Sequence, residues 1–328
     1  MRMPSQPALL KRELRLMRIV TDIAGLERVA PPGVNVFFVE PGHPLTLVRQ
    51  AFAADWLIVH FDVRQILILT TLLALWPFHR CKIVTLDFFA VNPSPRLLPW
   101  LRWSLRRIHL LLVYFRDFAP FAALYGLPLA RFRYVPFKVN SWELVQQATP
   151  TDEGFIFVGG RSRRDFATLF AAVAPLGYPV KILTAHEPDI LPHGSSLAGL
   201  TIPPNVELLY NDSDNRFFVD LASRARLVVL PIRADAKIQA GIGVYLLSMA
   251  LQKCVIISRC LGVDDVLAPG LAVIVDPGDA AQLRHQIEYF WLHADQRQAI
   301  ATRARDYAFS LGGEDHLRGS ILTAIGVL

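Results

Sequence analysis

Eleven short segments, most of them four or five apolar residues in a row, recur along the chain with helix-length stretches between them. A strand with one wet face alternates polar and apolar residues. A run without alternation is the mark of a strand covered on both faces, as in a parallel sheet crossed by helices. The segments fall at residues 35–39, 56–60, 82–86, 110–114 and 132–135, then at 155–158, 180–184, 206–209, 227–230, 254–258 and 272–275. This rhythm predicts an α/β chain with two doubly wound parallel sheets. The 328 residues suit two domains of about 150 each. The expected division is 1–139, a linker at 140–153 with a polar end near Pro150 and Gly154, and 154–328, with the last helix packing back on the first domain. Open parallel sheets bind ligands beyond the carboxyl ends of their strands, so the site is expected in a cleft between the two.

Charge divides along the same line. Residues 1–150 hold 18 Lys/Arg against 9 Asp/Glu, and residues 151–328 hold 16 against 19. The basic half is expected to meet an anionic partner, a membrane surface or a phosphorylated substrate. No nucleic acid is expected, because the arginines do not interleave with aromatics in a groove-reading or single-strand motif. The mean hydropathy of +0.35 suits a large buried sheet or membrane contact. The longest apolar run, 65–77, is several residues short of the ~20 needed to cross a bilayer and reads as a buried helix. A leading segment spaces Leu10, Leu14 and Met17 as a helix would. The first residues carry charge but no apolar stretch before a cleavage site, so the expected location is cytoplasmic, peripheral at the inner face of the cell membrane. Cys81, Cys254 and Cys260 are odd in number and lack metal-ligand spacing, which predicts plain thiols and no metal site.

Two glycine-bearing turns carry the chemistry. In the first, a strand ends on Gly159 and Gly160, followed by Arg161, Arg163 and Arg164 and then a helix through Leu169, Ala172 and Val173. The glycines let a ligand approach the backbone, the helix amino terminus offers N–H groups, and the arginines add charge where a diphosphate would lie. A plain strand-to-helix turn with solvated arginines would use the same residues. In the second, Gly241, Ile242 and Gly243 open a helix that runs straight into a buried strand. Phosphate binding or tight packing would each account for those glycines. Neither cluster spells G-x-G-x-x-G, and the strand after the first ends on Thr184 instead of an acid, so a dinucleotide-dependent dehydrogenase is disfavoured.

Taken together, these turns resemble the donor half of GT-B glycosyltransferases of the retaining family 4 (glycosyltransferase group 1) type. The likeness continues through Gly262, Asp265 and Leu267 and through Val275, Asp276 and Asp279. In the first half, residues 55–62 and 133–140 are similar to the family's strand end and linker approach. The resemblance implies two Rossmann-like domains facing across a cleft and metal-independent sugar transfer with retention. The donor would be UDP- or GDP-linked, with no other cofactor, and the acceptor a cell-envelope or lipid-linked glycan. It implies diphosphate contacts from Gly159, Gly160, Arg161, Arg164, Gly241, Ile242 and Gly243, and catalytic positions at His60 and Lys138. The chain departs from the family where two glutamates stand eight positions apart: here they are Gln239 and Leu247. Leucine accepts no hydrogen bond, so ribose and sugar contacts fall to Gln239 and Ser248. The glycine-rich loop after the first strand is also missing, with only residues 40–44 in a comparable place. A non-catalytic GT-B relative, serving as a nucleotide-sugar-binding partner subunit, and a GT-B sugar-nucleotide epimerase are the alternatives.

A third segment, 95–109, spaces Trp100, Trp103 and Arg107 three and four apart beside Arg102 and Arg106. That composition suits either a helix on an anionic lipid surface or a helix packing its Leu and Trp on the sheet.

Overall fold

In the computed structural model, which describes residues 16–40, 44–75, 80–88, 93–210, 214–236 and 238–328, the described residues form two six-stranded parallel sheets. The first holds β1 (Met17–Thr21), β2 (Val34–Phe38), β3 (Trp56–Val59), β4 (Lys82–Leu86), β5 (Ile108–Val113) and β6 (Phe132–Tyr134), in the order β2-β1-β3-β4-β5-β6. The second holds β7 (Ile156–Gly159), β8 (Val180–Thr184), β9 (Val206–Tyr210), β10 (Leu227–Leu230), β11 (Cys254–Ser258) and β12 (Val273–Val275), ordered β12-β11-β10-β7-β8-β9. The direction of winding reverses between β1 and β3 and again between β7 and β10, the two switch points where such sheets open a crevice.

The leading segment corrects one expectation. Leu10 and Leu14 lie outside the described residues, but Met17 begins strand β1, where a helix was expected. Arg18 and Thr21 break the apolar run there. Ile19 and Val20 are nonetheless fully buried between β2 and β3, and the Arg18 guanidinium lies over the Phe37 ring at 4.1 Å. The turn after the first strand is therefore 22–25 and not 40–44, of which 41–43 lie outside the described residues.

Each sheet is covered on both faces. On one face of the first lie α1 (Pro44–Ala51), α2 (Val63–Ala74), α3 (Leu98–Leu105) and α4 (Ala119–Tyr125), contributing Leu47, Ile66, Leu69, Leu101, Leu105 and Phe121 to its core. On the second sheet, α6 (Phe166–Val173) and α10 (Ala280–Leu292) fill one face. The other takes α8 (Asn215–Arg224), α9 (Ile242–Ala250) and α11 (Ala294–Leu311). The short α7 (Glu187–Ile190) follows β8. The stretch 140–153 holds α5 (Trp142–Gln147), whose Val145 is buried in the second core.

The remaining face of the first sheet is covered from far along the chain. Helix α12 (Glu314–Ala324) lays Leu317, Ile321 and Leu322 against Ile19, Leu26, Trp56 and Leu112. Its Arg318 Nε donates to the Ala24 carbonyl at 2.9 Å. A second link joins the loops beyond the strands: one Asp265 carboxylate oxygen accepts from the backbone N–H groups of Arg116 and Asp117 at 2.6 and 2.8 Å. Phe137 and Ile242 pack against a core of each sheet, so the carboxyl end of the first sheet abuts the start of α9.

Candidate functional site

On the second sheet, the turn after β7 lies at the switch point. Gly160 has φ 87°, the left-handed region where a side chain is strained. A Cβ there would also come within 2.6 Å of the Arg164 guanidinium. That guanidinium is only 2% exposed and is held by backbone carbonyls: Gly159 accepts from Nε and Nη2 at 2.9 and 2.7 Å, and Ser162 from Nη1 at 2.8 Å. Burial lowers its pKa to about 10, which still leaves it cationic at neutral pH. Arg164 thus braces the glycine turn from within, its donors turned to backbone carbonyls, while Arg161 is exposed. Asp165 then caps α6, accepting from the Thr168 amide and hydroxyl at 3.1 and 2.7 Å.

Facing this turn is the start of α9. Gly241, at φ 86°, is its amino-terminal cap and offers no side chain to its first amides. Gly243 has no room for more: the Asn140 carboxamide occupies the space a Cβ would need. Gly160, Arg161, Arg164, Gly241, Ile242 and Gly243 line one cavity of about 340 Å³, whose described lining includes no Asp or Glu. Two arginines and a helix amino terminus around a hollow without described carboxylates give it a positive potential, which suits an oxyanion. Gln239 and Leu247 line it as well, and Gln239 Nε2 is enclosed without a hydrogen-bond partner. Ser248 does not reach it. Its side chain is fully buried on the core side of α9, and its Oγ has no partner there.

Across the cleft, the carboxyl ends of the first sheet bring acids that the sequence reading passed over. Asp22, after β1, accepts the His60 backbone N–H at 2.9 and 3.2 Å, and burial raises its pKa. This fixes the turn after β3 at the switch point and leaves the His60 side chain exposed. Asp87, after β4, has φ 52°. One of its carboxyl oxygens is enclosed without a partner, and burial pushes its pKa up to about 7. Its charge is felt by Tyr114 at the end of β5, whose ring meets Phe137 at 4.7 Å. Lys138 is engaged: its Nζ donates to Asn140 Oδ1 at 2.9 Å and pairs with Glu314 at the start of α12. For Asp87 a signal was present, an acid directly following the apolar strand β4, whereas Asp22 follows a strand that the sequence pattern hid.

Trp100, Arg102, Trp103, Arg106 and Arg107 lie apart from the cleft, exposed on or beside α3. No described helix is long and apolar enough to cross a membrane, and the described residues hold no His/Cys/Asp/Glu cluster fit for a metal.

No protein-family model matches the chain, and no curated protein matches it. Solved structures do. HepE of Anabaena, in complex with UDP, aligns with a TM-score of 0.70 at 15% identity, over 95% of this chain and 100% of that one. A glycosyltransferase from Rickettsia africae gives 0.65 at 14% identity, over 95% and 98%. Sucrose-phosphate synthase from Thermosynechococcus elongatus gives 0.63 at 14%, over 90% and 81%. At such identities the likeness is one of fold.

Proposed function

Having the GT-B fold of two Rossmann-like domains facing across a cleft, similar to that of retaining family 4 type enzymes, this chain is, we propose, a glycosyltransferase of hexosyltransferase type. It takes a sugar from a UDP- or GDP-linked donor to a glycan or lipid-linked acceptor. The observation that carries this reading is the carboxylate-free cavity between Gly160 and Gly241–Gly243, with its two arginines. HepE, similar in fold, has been solved with UDP and with UDP-glucose, which supports a nucleotide sugar as the occupant.

In this reading residues 154–328 hold the donor, 1–139 the acceptor, and 140–153 joins them. As the bond between sugar and diphosphate breaks, negative charge grows on the diphosphate oxygens. Arg161 and the first amides of α9 meet that charge, and the buried Arg164 adds its field. These cations take the part that a divalent ion plays elsewhere, so the reaction needs no metal. Asp22 holds the turn that carries His60 toward the acceptor. Lys138, paired with Glu314, acts by positioning Asn140 under Gly243 rather than by contacting phosphate. Retention is inferred from the resemblance.

A second reading, a non-catalytic nucleotide-sugar binder, is favoured by Leu247, which offers ribose no acceptor. An epimerase is a third. One experiment separates them. UDP, GDP and ADP, with their sugar conjugates, should be titrated by thermal shift, since a ligand of the native state alone raises the melting temperature. One diphosphate should stabilise the wild type, and Arg161→Ala should weaken it about tenfold, the worth of one charge-assisted contact. If no nucleotide shifts the melting temperature, the donor site is wrong. Nucleotide release that depends on an acceptor marks a transferase, acceptor-free release an epimerase, and binding without turnover a binder.

A further inference from the structure

Helix α3 buries Leu101, Ser104 and Leu105 against the first sheet. Among the described residues, no element covers its opposite face, which touches α2 only at its edge. At about 100° per residue, Arg96, Pro99, Trp100, Trp103, Arg106 and Arg107 project within an arc of about 120°. Trp100 and Trp103 are 44% and 37% exposed, large areas for indoles, and Leu97 before α3 and Leu75 at the end of α2, one turn past Thr71, are 41% and 74% exposed. Both rings are held outward. Trp100 Nε1 donates to Thr71 Oγ1 on α2 at 3.3 Å, and the Arg107 guanidinium covers Trp103 at 3.6 Å.

The stretch of chain that carries this face is strongly basic. Residues 63–116 contain eight Lys/Arg and one acid, Asp87, which is turned to the cleft end of β4. Lys82 opens β4 next to the strand that follows α3, and it is exposed. The field reaches into the fold: the pKa of His109 is lowered by burial and then by the charges of Lys82 and Arg131.

We propose that this face of α3 docks on an anionic lipid bilayer, with the indoles at headgroup depth and the arginines on lipid phosphates. Nucleic acid would satisfy the arginines but leave the apolar strip of Leu75, Leu97 and the indoles wet. A bilayer surface covers both. Docking through this face would hold the half read as binding the acceptor at the lipid surface.

The test is cosedimentation of the full chain with phosphatidylcholine vesicles and with mixed phosphatidylcholine–phosphatidylglycerol vesicles, at low and high salt. Binding should be confined to the anionic vesicles, fall with salt, and blue-shift the tryptophan emission. The triple variant Arg96→Glu, Arg106→Glu, Arg107→Glu should bind at least about tenfold more weakly. Trp100→Ser with Trp103→Ser, which leaves the charges and the buried face alone, should also weaken binding, with the melting temperature showing that either variant is folded. Equal binding by wild type and both variants overturns the proposal. So does binding of a thymidine homopolymer in place of vesicles. The assay needs no nucleotide, so its outcome is independent of the donor site.

Discussion

Asp87 is a carboxylic acid kept where its charge is unwelcome, in a left-handed backbone conformation that costs about 1–3 kcal/mol for most side chains. Its native pKa of about 7 lies well above the unfolded value near 3.9. Between those values the native state binds the extra proton, so stability falls as pH rises from about 4 to about 7, by up to about 4 kcal/mol. Asp87→Asn keeps the shape, tolerates the left-handed region and removes the proton. The variant should be more stable than wild type at pH 8 and similar at pH 4, read from urea midpoints. Parallel loss in both proteins would show that the carboxyl is not desolvated. Gly160→Ala should lose about 1–3 kcal/mol, because the backbone is strained and the buried Arg164 has no room to retreat. Nucleotide affinity should fall with it, whereas Gly177→Ala, also at positive φ but in open space and away from the cleft, should lose stability alone.

At the level of elements, α12 is the test of how the first sheet is held. Leu317 and Ile321 are buried against β1, β3 and β5, so Ile321→Ala should cost about 2–5 kcal/mol. Hydrogen exchange should speed up in β1 and β3, more than 260 residues earlier in the chain, and exchange confined to α12 would contradict the packing. Such contacts mark the limit of what was legible. Strands β4, β8, β10 and β11 have the expected bounds because each is an apolar stretch between turns. Strand β1 was hidden because Arg18 makes it look amphipathic, although the guanidinium lies on Phe37 and the neighbours bury the rest. In the cavity, Gly160, Gly241, Gly243 and Arg161 were readable from local spacing, whereas Gly159 is buried beside Phe157 and Phe218 and does not line it. The burial of Arg164 and Ser248, the engagement of Lys138, and the role of Asp22 depend on neighbours distant in sequence, which periodicity does not encode.

At the scale of the whole molecule, the two halves are joined over the cleft by the Asp265 carboxylate on the amides of Arg116 and Asp117. Asp265→Ala should leave both cores intact and loosen the contact between the halves. Small-angle scattering should then report a larger radius of gyration, with a melting temperature little changed for the cores. An unchanged radius would mean that α12 and the packing of Phe137 and Ile242 against both cores hold the halves without help.

The placement of α12 also bears on how the protein is made. The first sheet is finished as a ribbon of hydrogen bonds when β6 leaves the ribosome, yet the helix that covers its open face follows about 180 residues later. At roughly 5–20 residues per second, that is a wait of about 10–40 s with Ile19, Leu26 and Trp56 uncovered. Folding of the amino-terminal half cannot be completed in order of synthesis. A nascent chain stalled before residue 314 should stay bound to chaperones that recognise apolar surface, and release should follow once α12 emerges.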